Sequence, residues 1–192
     1  MYEVLQVMRI ILKKCYENIR RFACENIKLK NNLYVLDIGC GLSGNFWGFE
    51  PKAYFGLDSN LEIIKKNVKK NDGNYKLHDV CKGLPFANQS FDCVVSVSFF
   101  HHLSDKQAKQ LIVQIKRVLK ENGRALIVDG VFPQSKINII GYLIRYFDRG
   151  RYVRNSRNFE ELFLSEFEIE VKYSFTQNIF AYTALLLRAK NA

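Results

Sequence analysis

The chain has 192 residues, 48% hydrophobic and 25% charged, with a formal net charge of +10 at pH 7; this length favours one domain, spanning 1–192, whose core closes without staples. Five cysteines, at 15, 24, 40, 81 and 93, are odd in number and never spaced Cys-x-x-Cys, which argues against a disulfide framework or a zinc site and for a reducing, cytoplasmic setting. No apolar run approaches the roughly 20 residues that cross a bilayer, and the first residues lack a signal-peptide cleavage pattern, so neither an integral membrane segment nor secretion is expected.

Residues 2–28 carry apolar side chains at helical spacing (Val4, Leu5, Met8, Ile11, Leu12, Cys15, Ile19, Phe22), which predicts an N-terminal helical cap over 1–30, packed over the sheet edge or the active site. Asn31-Asn32 ends that pattern. A buried strand is expected over 33–38, running into Gly39-Cys40-Gly41-Leu42-Ser43-Gly44 and then a short helix containing Trp47. Glycines at 39, 41 and 44 allow a sharp reversal and close approach of a ligand to bare backbone. Gly-x-Gly-x-x-Gly alone would suit a dinucleotide and is a weak signal. Asp37, read as the acid at the strand tip, would repel a pyrophosphate and attract a cation, so the ligand sought has an adenosine-like body and a positive charge.

A second strand over 53–57 ends in Asp58, and Ser59 or Asn60 caps a helix over 60–70. A third strand over 74–78 leads to His78-Asp79-Val80 and the Gly83-Leu84-Pro85-Phe86 loop. A fourth over 92–98 precedes Phe99-Phe100-His101-His102, with a helix over 104–120 opened by Ser104 or Asp105 and closed at Asn122-Gly123. The fifth, 124–131, is almost wholly apolar, as a central parallel strand should be. Strands alternating with helices imply right-handed crossovers and ligands at the carboxyl edge of the sheet. Residues 137–147 read as a helix apolar on most faces, Phe159–Phe163 as a helix capped by Ser156 or Asn158, and 167–175 with 179–188 as a hairpin joined by Thr176-Gln177-Asn178.

Four segments in order across 33–103 resemble the class I S-adenosylmethionine-dependent methyltransferases, in particular the small methyltransferase type 11 group: Val35-Leu36-Asp37-Ile38-Gly39-Cys40-Gly41, Tyr54-Phe55-Gly56-Leu57-Asp58, His78-Asp79-Val80, and the stretch Ser90–Leu103. One departure is Ser43, where many members carry a further glycine. The resemblance implies an α/β, Rossmann-like seven-stranded sheet, mostly parallel with a C-terminal antiparallel hairpin and helices on both faces. It implies S-adenosyl-L-methionine as cofactor, with S-adenosyl-L-homocysteine as product, bound by Asp37, Gly39, Cys40, Gly41, Asp58, Ser59, Asp79, Val80, Ser98 and Phe99, with the Asp58 carboxylate on the ribose hydroxyls and Asp79 with Val80 on the adenine. No metal is implied.

His101 and His102 fall where cofactor and acceptor should meet, and an imidazole suits deprotonation of a hydroxyl or amine; the alternative is that the pair packs or holds the loop. Asp129, at the end of strand five, is open to a substrate-facing role or a structural hydrogen bond. Residues 132–160 are read as a substrate-side insertion. Five of the eleven arginines lie at 145, 149, 151, 154 and 157, with no lysine among them, and arginine grips phosphate or carboxylate bidentately. Arg149, Arg151, Tyr152 and Arg154 therefore form a candidate anion clamp beside an apolar wall, unless the arginines pair with Asp148, Glu160 and Glu161. The function these residues suggest is methyl transfer to a small, anionic metabolite. An RNA methyltransferase is the alternative, favoured by the basic charge but without the Asn/Asp-Pro-Pro-aromatic signature of many base-amino methyltransferases; a cofactor-binding scaffold or partner subunit without catalysis is the third reading.

Overall fold

The computed structural model describes residues 17–19, 21, 22, 25, 33–42, 53–70, 73–135, 137–146 and 150–190. Most of the expected N-terminal cap, the helix around Trp47, and Ser43, Gly44 and Arg149 lie outside the described residues. Seven strands form one sheet in the order β3-β2-β1-β4-β5-β7-β6. They are β1 Tyr34–Ile38, β2 Ala53–Asp58, β3 Asn74–Leu77, β4 Phe91–Val97, β5 Leu119–Val131, β6 Phe167–Gln177 and β7 Phe180–Ala189. The first five pair in parallel, and β7 joins β5 antiparallel and is itself paired antiparallel with β6. This is the mostly parallel, Rossmann-like sheet with a closing hairpin that the sequence implied. Strand order reverses between β1 and β4, which opens a crevice at their carboxyl ends.

Four helices are described: α1 Leu61–Lys70, α2 Asp105–Val118, α3 Ile139–Tyr146 and α4 Ser156–Glu161. The Asn60 side chain accepts from the amides of Glu62 and Ile63, so Asn60 is the cap of α1. Ser104 and Gln107 form a reciprocal capping box at the start of α2. Helix α2 ends at Val118, two residues before the expected end, because Leu119 turns extended and pairs with Phe91. Cys93 next pairs with Arg124, so residues 120–123 bulge from β5 opposite the single residue Asp92, whose carboxylate takes the Lys120 ammonium at 2.8 Å. The cap of α4 is Asn155, which accepts from Asn158, rather than Ser156 or Asn158. The hairpin closes more tightly than expected, with β6 running to Gln177 and Asn178 at φ 55° in the turn.

The period-two alternation of the strands divides the core in two. Leu36, Ile38, Val94 and Ile127 face one side, where Leu111, Ile112 and Ile115 of α2 and Phe159 of α4 cover them. Val35, Tyr54, Cys93, Val95 and Leu126 face the other, with Ile19 and Phe22 against them. Full burial of each such aliphatic or aromatic side chain contributes roughly 1.5–3 kcal/mol.

Three acidic hydrogens are held inside this core. Burial pushes the Cys93 thiol up to about 12 and raises Cys40 and Tyr54 further, with the nearby Asp37 charge adding to each. These groups keep their protons in the folded protein at pH values where the unfolded chain releases them, from the ordinary 9.0 of cysteine and 10.0 of tyrosine upward. Their contribution to stability is therefore complete below pH 9 and lost as pH rises above it. The urea midpoint is expected to fall steadily between pH 8.5 and 11, and a flat midpoint over that range would contradict this packing.

Candidate functional site

The carboxyl ends of β1, β2, β3 and β4 lie side by side, and each delivers one part of the site. After β1 the chain turns at Gly39, with φ 69°, and Gly41, with φ 57°. Both are left-handed conformations that an L side chain adopts only at a cost. The amides of Gly39 and Cys40 both donate to the Leu57 carbonyl, at 2.9 and 3.0 Å, which ties the turn to the end of β2. A Cβ on Gly39 would stand 2.3 Å from the Phe99 ring, so the two chain segments are in contact there, whereas a Cβ on Gly41 would meet nothing within 4 Å among the described residues. Among those residues, space is open against the backbone at Gly41.

Asp58 closes β2, with Ser59 exposed beyond it. One carboxylate oxygen of Asp58 accepts the Gly41 amide at 3.1 Å and the other the Asn60 amide at 2.9 Å. Each oxygen has a second lone pair, so a carboxylate aimed this way can accept further donors such as hydroxyls. Asn67 of α1, 1% exposed, donates to the Gly41 carbonyl at 2.7 Å and braces the turn from behind. The Cys40 sulfur faces the same amide at 3.8 Å and is buried, so only the backbone of Cys40 borders the turn.

After β3, Asp79 is exposed and caps a short 3₁₀ turn over Val80–Lys82 by accepting the Cys81 amide. Val80 anchors that turn in the core. His78 Nε2 lies 2.7 Å from the Gly83 carbonyl, which makes it the donor and gives His78 a structural task. After β4, Ser98 adopts φ 53° and is exposed, and Phe99 lies over Gly39.

Asp37 departs from its expected position at the tip of β1. Its side chain points to the sheet face opposite Leu36 and Ile38, is fully buried, and accepts the Tyr54 hydroxyl at 2.5 Å. The register pairs Val35 with Tyr54 and Asp37 with Gly56, so the tyrosine stands diagonally across from the acid. The carboxylate is a fixed buried charge one residue below the turn, not an exposed one at the strand end.

His101 is 8% exposed, and its Nδ1 lies 2.5 Å from Asp129 Oδ1 while its amide donates to Asp129 Oδ2 at 2.9 Å. Asp129 also accepts the Gly130 amide, so the structural hydrogen bond weighed from the sequence is present. The His101 carbonyl accepts the Tyr152 amide, and the Phe132 amide donates to the Arg154 carbonyl. Residues 150–155 thus run along the end of β5 and over the histidine loop. His102 is exposed, with its ring centroid 4.1 Å from that of His101.

The arginine cluster divides in a way its spacing did not foretell. All five guanidinium donors of Arg154 are used within the chain, on Asp105, on the carbonyls of Phe100, Leu103 and Tyr152, and again on Asp105. Arg154 is therefore a brace between the loop after β4 and the segment after α3, which corrects its place in an anion clamp. Arg145 is buried, stacked on Phe180 and Tyr182 and lying against Gly130, while Arg157 pairs with Glu161. Arg151 and Tyr152 remain exposed on the segment.

A sheet of this order, with a glycine turn after its first strand and an acid ending its second, defines a Rossmann-like α/β fold. Residues 36–127 match the family model described as "Methyltransferase domain". An uncharacterised methyltransferase of Bacillus subtilis, YcgJ, is 27% identical over 161 residues, covering 77% of this chain and 57% of that protein. The demethylmenaquinone methyltransferase of Thermotoga maritima is 36% identical over 124 residues, covering 61% of this chain and 52% of that protein. Among solved structures, magnesium protoporphyrin IX methyltransferase from Synechocystis, with S-adenosylhomocysteine bound, superimposes with a TM-score of 0.73 at 15% identity, over 97% of this chain and 87% of that one. These matches support assignment to the class I S-adenosylmethionine-dependent methyltransferase superfamily. The chain spans little more than half the length of these two curated relatives.

Proposed function

We propose that the protein transfers a methyl group from S-adenosyl-L-methionine to a small acceptor that carries an anionic group and an apolar body. The observation that carries this reading is the pairing of open space at Gly41 with the Asp58 carboxylate beside it, both at the strand-order reversal. That cradle fits the cofactor: the bare backbone at Gly41 would border its methionyl and ribose portions, and Asp58 would accept its ribose hydroxyls with its remaining lone pairs. Asp79 and Val80, with Ser59 at the β2 end, border the adenine. Ser98 and Phe99 close the other side. Asp37 contributes a buried negative charge that favours the cationic sulfonium and ammonium end.

When bound, the cofactor supplies a methyl group already activated by the sulfonium charge, so the chain's own residues need only align the acceptor, exclude water and take a proton where the acceptor holds one. His101, locked by Asp129, positions the loop. His102 is the imidazole exposed to an acceptor and is assigned the proton. Its replacement by alanine is expected to lower kcat by about 10²-fold with cofactor affinity unchanged and the acidic limb of the pH profile lost. Full activity in that variant would leave His102 with a packing role.

Arg151 and Tyr152 are the exposed polar groups proposed to meet the anionic part of the acceptor. RNA methylation is the second reading, supported by the +10 charge and by similarity to a plant tRNA methyltransferase and a bovine 18S rRNA methyltransferase. Incubating the enzyme and deuterated-methyl cofactor with a cell extract, then separating metabolites from RNA before mass spectrometry, tests both. Label in an anionic, organic-soluble metabolite supports the proposal. Label confined to RNA supports the second reading, and label in neither, with cofactor bound, supports a non-catalytic scaffold.

A further inference from the structure

Helix α3 is inside out. It docks on the β6–β7 turn through Asn138, just before its first residue, and through Gly141 and Arg145, spaced three and four apart so that they share a face. The Asn138 amide donates to the Ile179 carbonyl at 2.9 Å, a Cβ on Gly141 would stand 2.1 Å from that same carbonyl, and the Arg145 guanidinium is buried. The small and polar residues thus face inward. The outward surface carries Ile139, Ile140, Leu143 and Ile144, with Ile140 63% and Leu143 50% exposed, and Ile137 just ahead of the helix is 91% exposed. Burying Arg145 and presenting four branched aliphatic side chains to water is the reverse of what a helix on a globular surface does. A contiguous apolar surface of this kind marks a site that another apolar phase covers.

Charge selects the occupant. The chain carries +10, so two copies repel one another, whereas an anionic bilayer attracts it. Arg151 is exposed on the segment that follows α3 and adds a positive charge close to it in sequence. At eight residues, α3 is about 12 Å long and cannot cross a bilayer; it can lie in the interface with one face in the acyl boundary.

We propose that α3 is an interfacial helix that seats this protein on an anionic membrane surface, with Ile139, Ile140, Leu143 and Ile144 inserted at the headgroup–acyl boundary. This deepens the reading of an acceptor with an apolar body: the β6–β7 turn that α3 docks on stands at the carboxyl edge of the sheet, since Val131 pairs with Ala181, so docking there turns the edge that carries the site toward the bilayer. The docking itself does not depend on that reading, because it requires no acceptor.

The test is sedimentation of the full chain with vesicles of phosphatidylcholine containing one third phosphatidylglycerol, and with phosphatidylcholine alone. The wild-type protein is expected to partition onto the anionic vesicles at least about tenfold more strongly than onto neutral ones, and Ile140→Glu combined with Leu143→Glu to lower that partition at least about tenfold. Both side chains are exposed, so the melting temperature and S-adenosylmethionine affinity of the double variant should be unchanged. Absence of wild-type binding, equal binding by the double variant, or a stable dimer in solution that the double variant dissociates would each overturn the proposal. Vesicle binding by a protein that binds no S-adenosylmethionine would overturn the methyl-transfer reading and leave this one standing.

Discussion

Replacing Asp129 with alanine is expected to destabilise the protein by about 3–5 kcal/mol, the range for removing one partner from a buried charged network. Asp129 is 2% exposed and accepts from the His101 amide, the His101 ring and the Gly130 amide. Alanine leaves three donors buried without an acceptor, and each unsatisfied group costs roughly 1–3 kcal/mol. The cost falls on the joint between the end of β5, the histidine loop and the segment over 150–155, because the His101 backbone also receives the Tyr152 amide. A loss of that size approaches the whole stability of a small domain, so Asp129→Asn is the more informative partner. It keeps one acceptor oxygen and is expected to unfold at an intermediate urea concentration. Urea midpoints for both variants at neutral pH check this, and a loss below about 1 kcal/mol for alanine would mean that the network does not hold the loop.

The second large effect separates two glycines two residues apart. Gly39→Ala is expected to lower both stability and cofactor affinity, the latter by more than tenfold, because its methyl group would enter the Phe99 ring at 2.3 Å and φ is 69°. Gly41→Ala has the same kind of conformational cost, about 1–2 kcal/mol for a left-handed residue, but its methyl group would meet no atom of the described residues within 4 Å. Its stability loss should stop at that conformational cost, while its affinity for S-adenosylmethionine should fall as well, since the methyl group would fill the space proposed for the cofactor. Thermal denaturation and calorimetry on both variants distinguish the cases. Undiminished affinity in Gly41→Ala would show that the open space belongs to something else.

Much of the sheet was legible because its signals are local. Apolar strands bounded by glycine turns, Asn60 and the Ser104 box at helix starts, and the long apolar fifth strand each declare themselves within a few residues. The closing hairpin followed from two strand-like runs around Thr176-Gln177-Asn178, and the mostly parallel sheet from strands alternating with helices, whereas the order of the strands was not read from the sequence. Boundaries failed where tertiary pairing decided them: Leu119 leaves α2 for β5 because Phe91 is there to pair with it, and no nearby residue announces that. The position of Asp37 failed for a related reason. Proximity to the end of the strand suggested an exposed acid, but the two-residue alternation sends the side chain to a covered face, and Tyr54, seventeen residues later, comes within reach only through the parallel register.

The arginine cluster was the least legible part. Five arginines without a lysine looked like one surface, yet three of them do separate structural work. Arg154 satisfies carbonyls left by the loop after β4, Arg145 fills the space that Gly130 leaves, and Arg157 makes a helical pair. The demands on Arg154 and Arg145 arise from chain segments about 15–55 residues away, of which composition carries no record, whereas the Arg157–Glu161 pair spans four residues and was the alternative weighed from the sequence. The exposed face of α3 was visible in sequence as an apolar helix, but which side faced inward could be read only from the packing of Gly141 and Arg145.

Calorimetric titration of the full chain with S-adenosyl-L-methionine, S-adenosyl-L-homocysteine and NAD, repeated with Asp58→Ala, tests the central claim most directly. Both sulfur nucleosides should bind, NAD should neither bind nor compete, and the Asp58 variant should lose about 1–3 kcal/mol of binding through the missing charge-assisted hydrogen bonds to ribose. Binding of NAD with no heat from either sulfur nucleoside, or unchanged affinity in the Asp58 variant, would contradict the site described above.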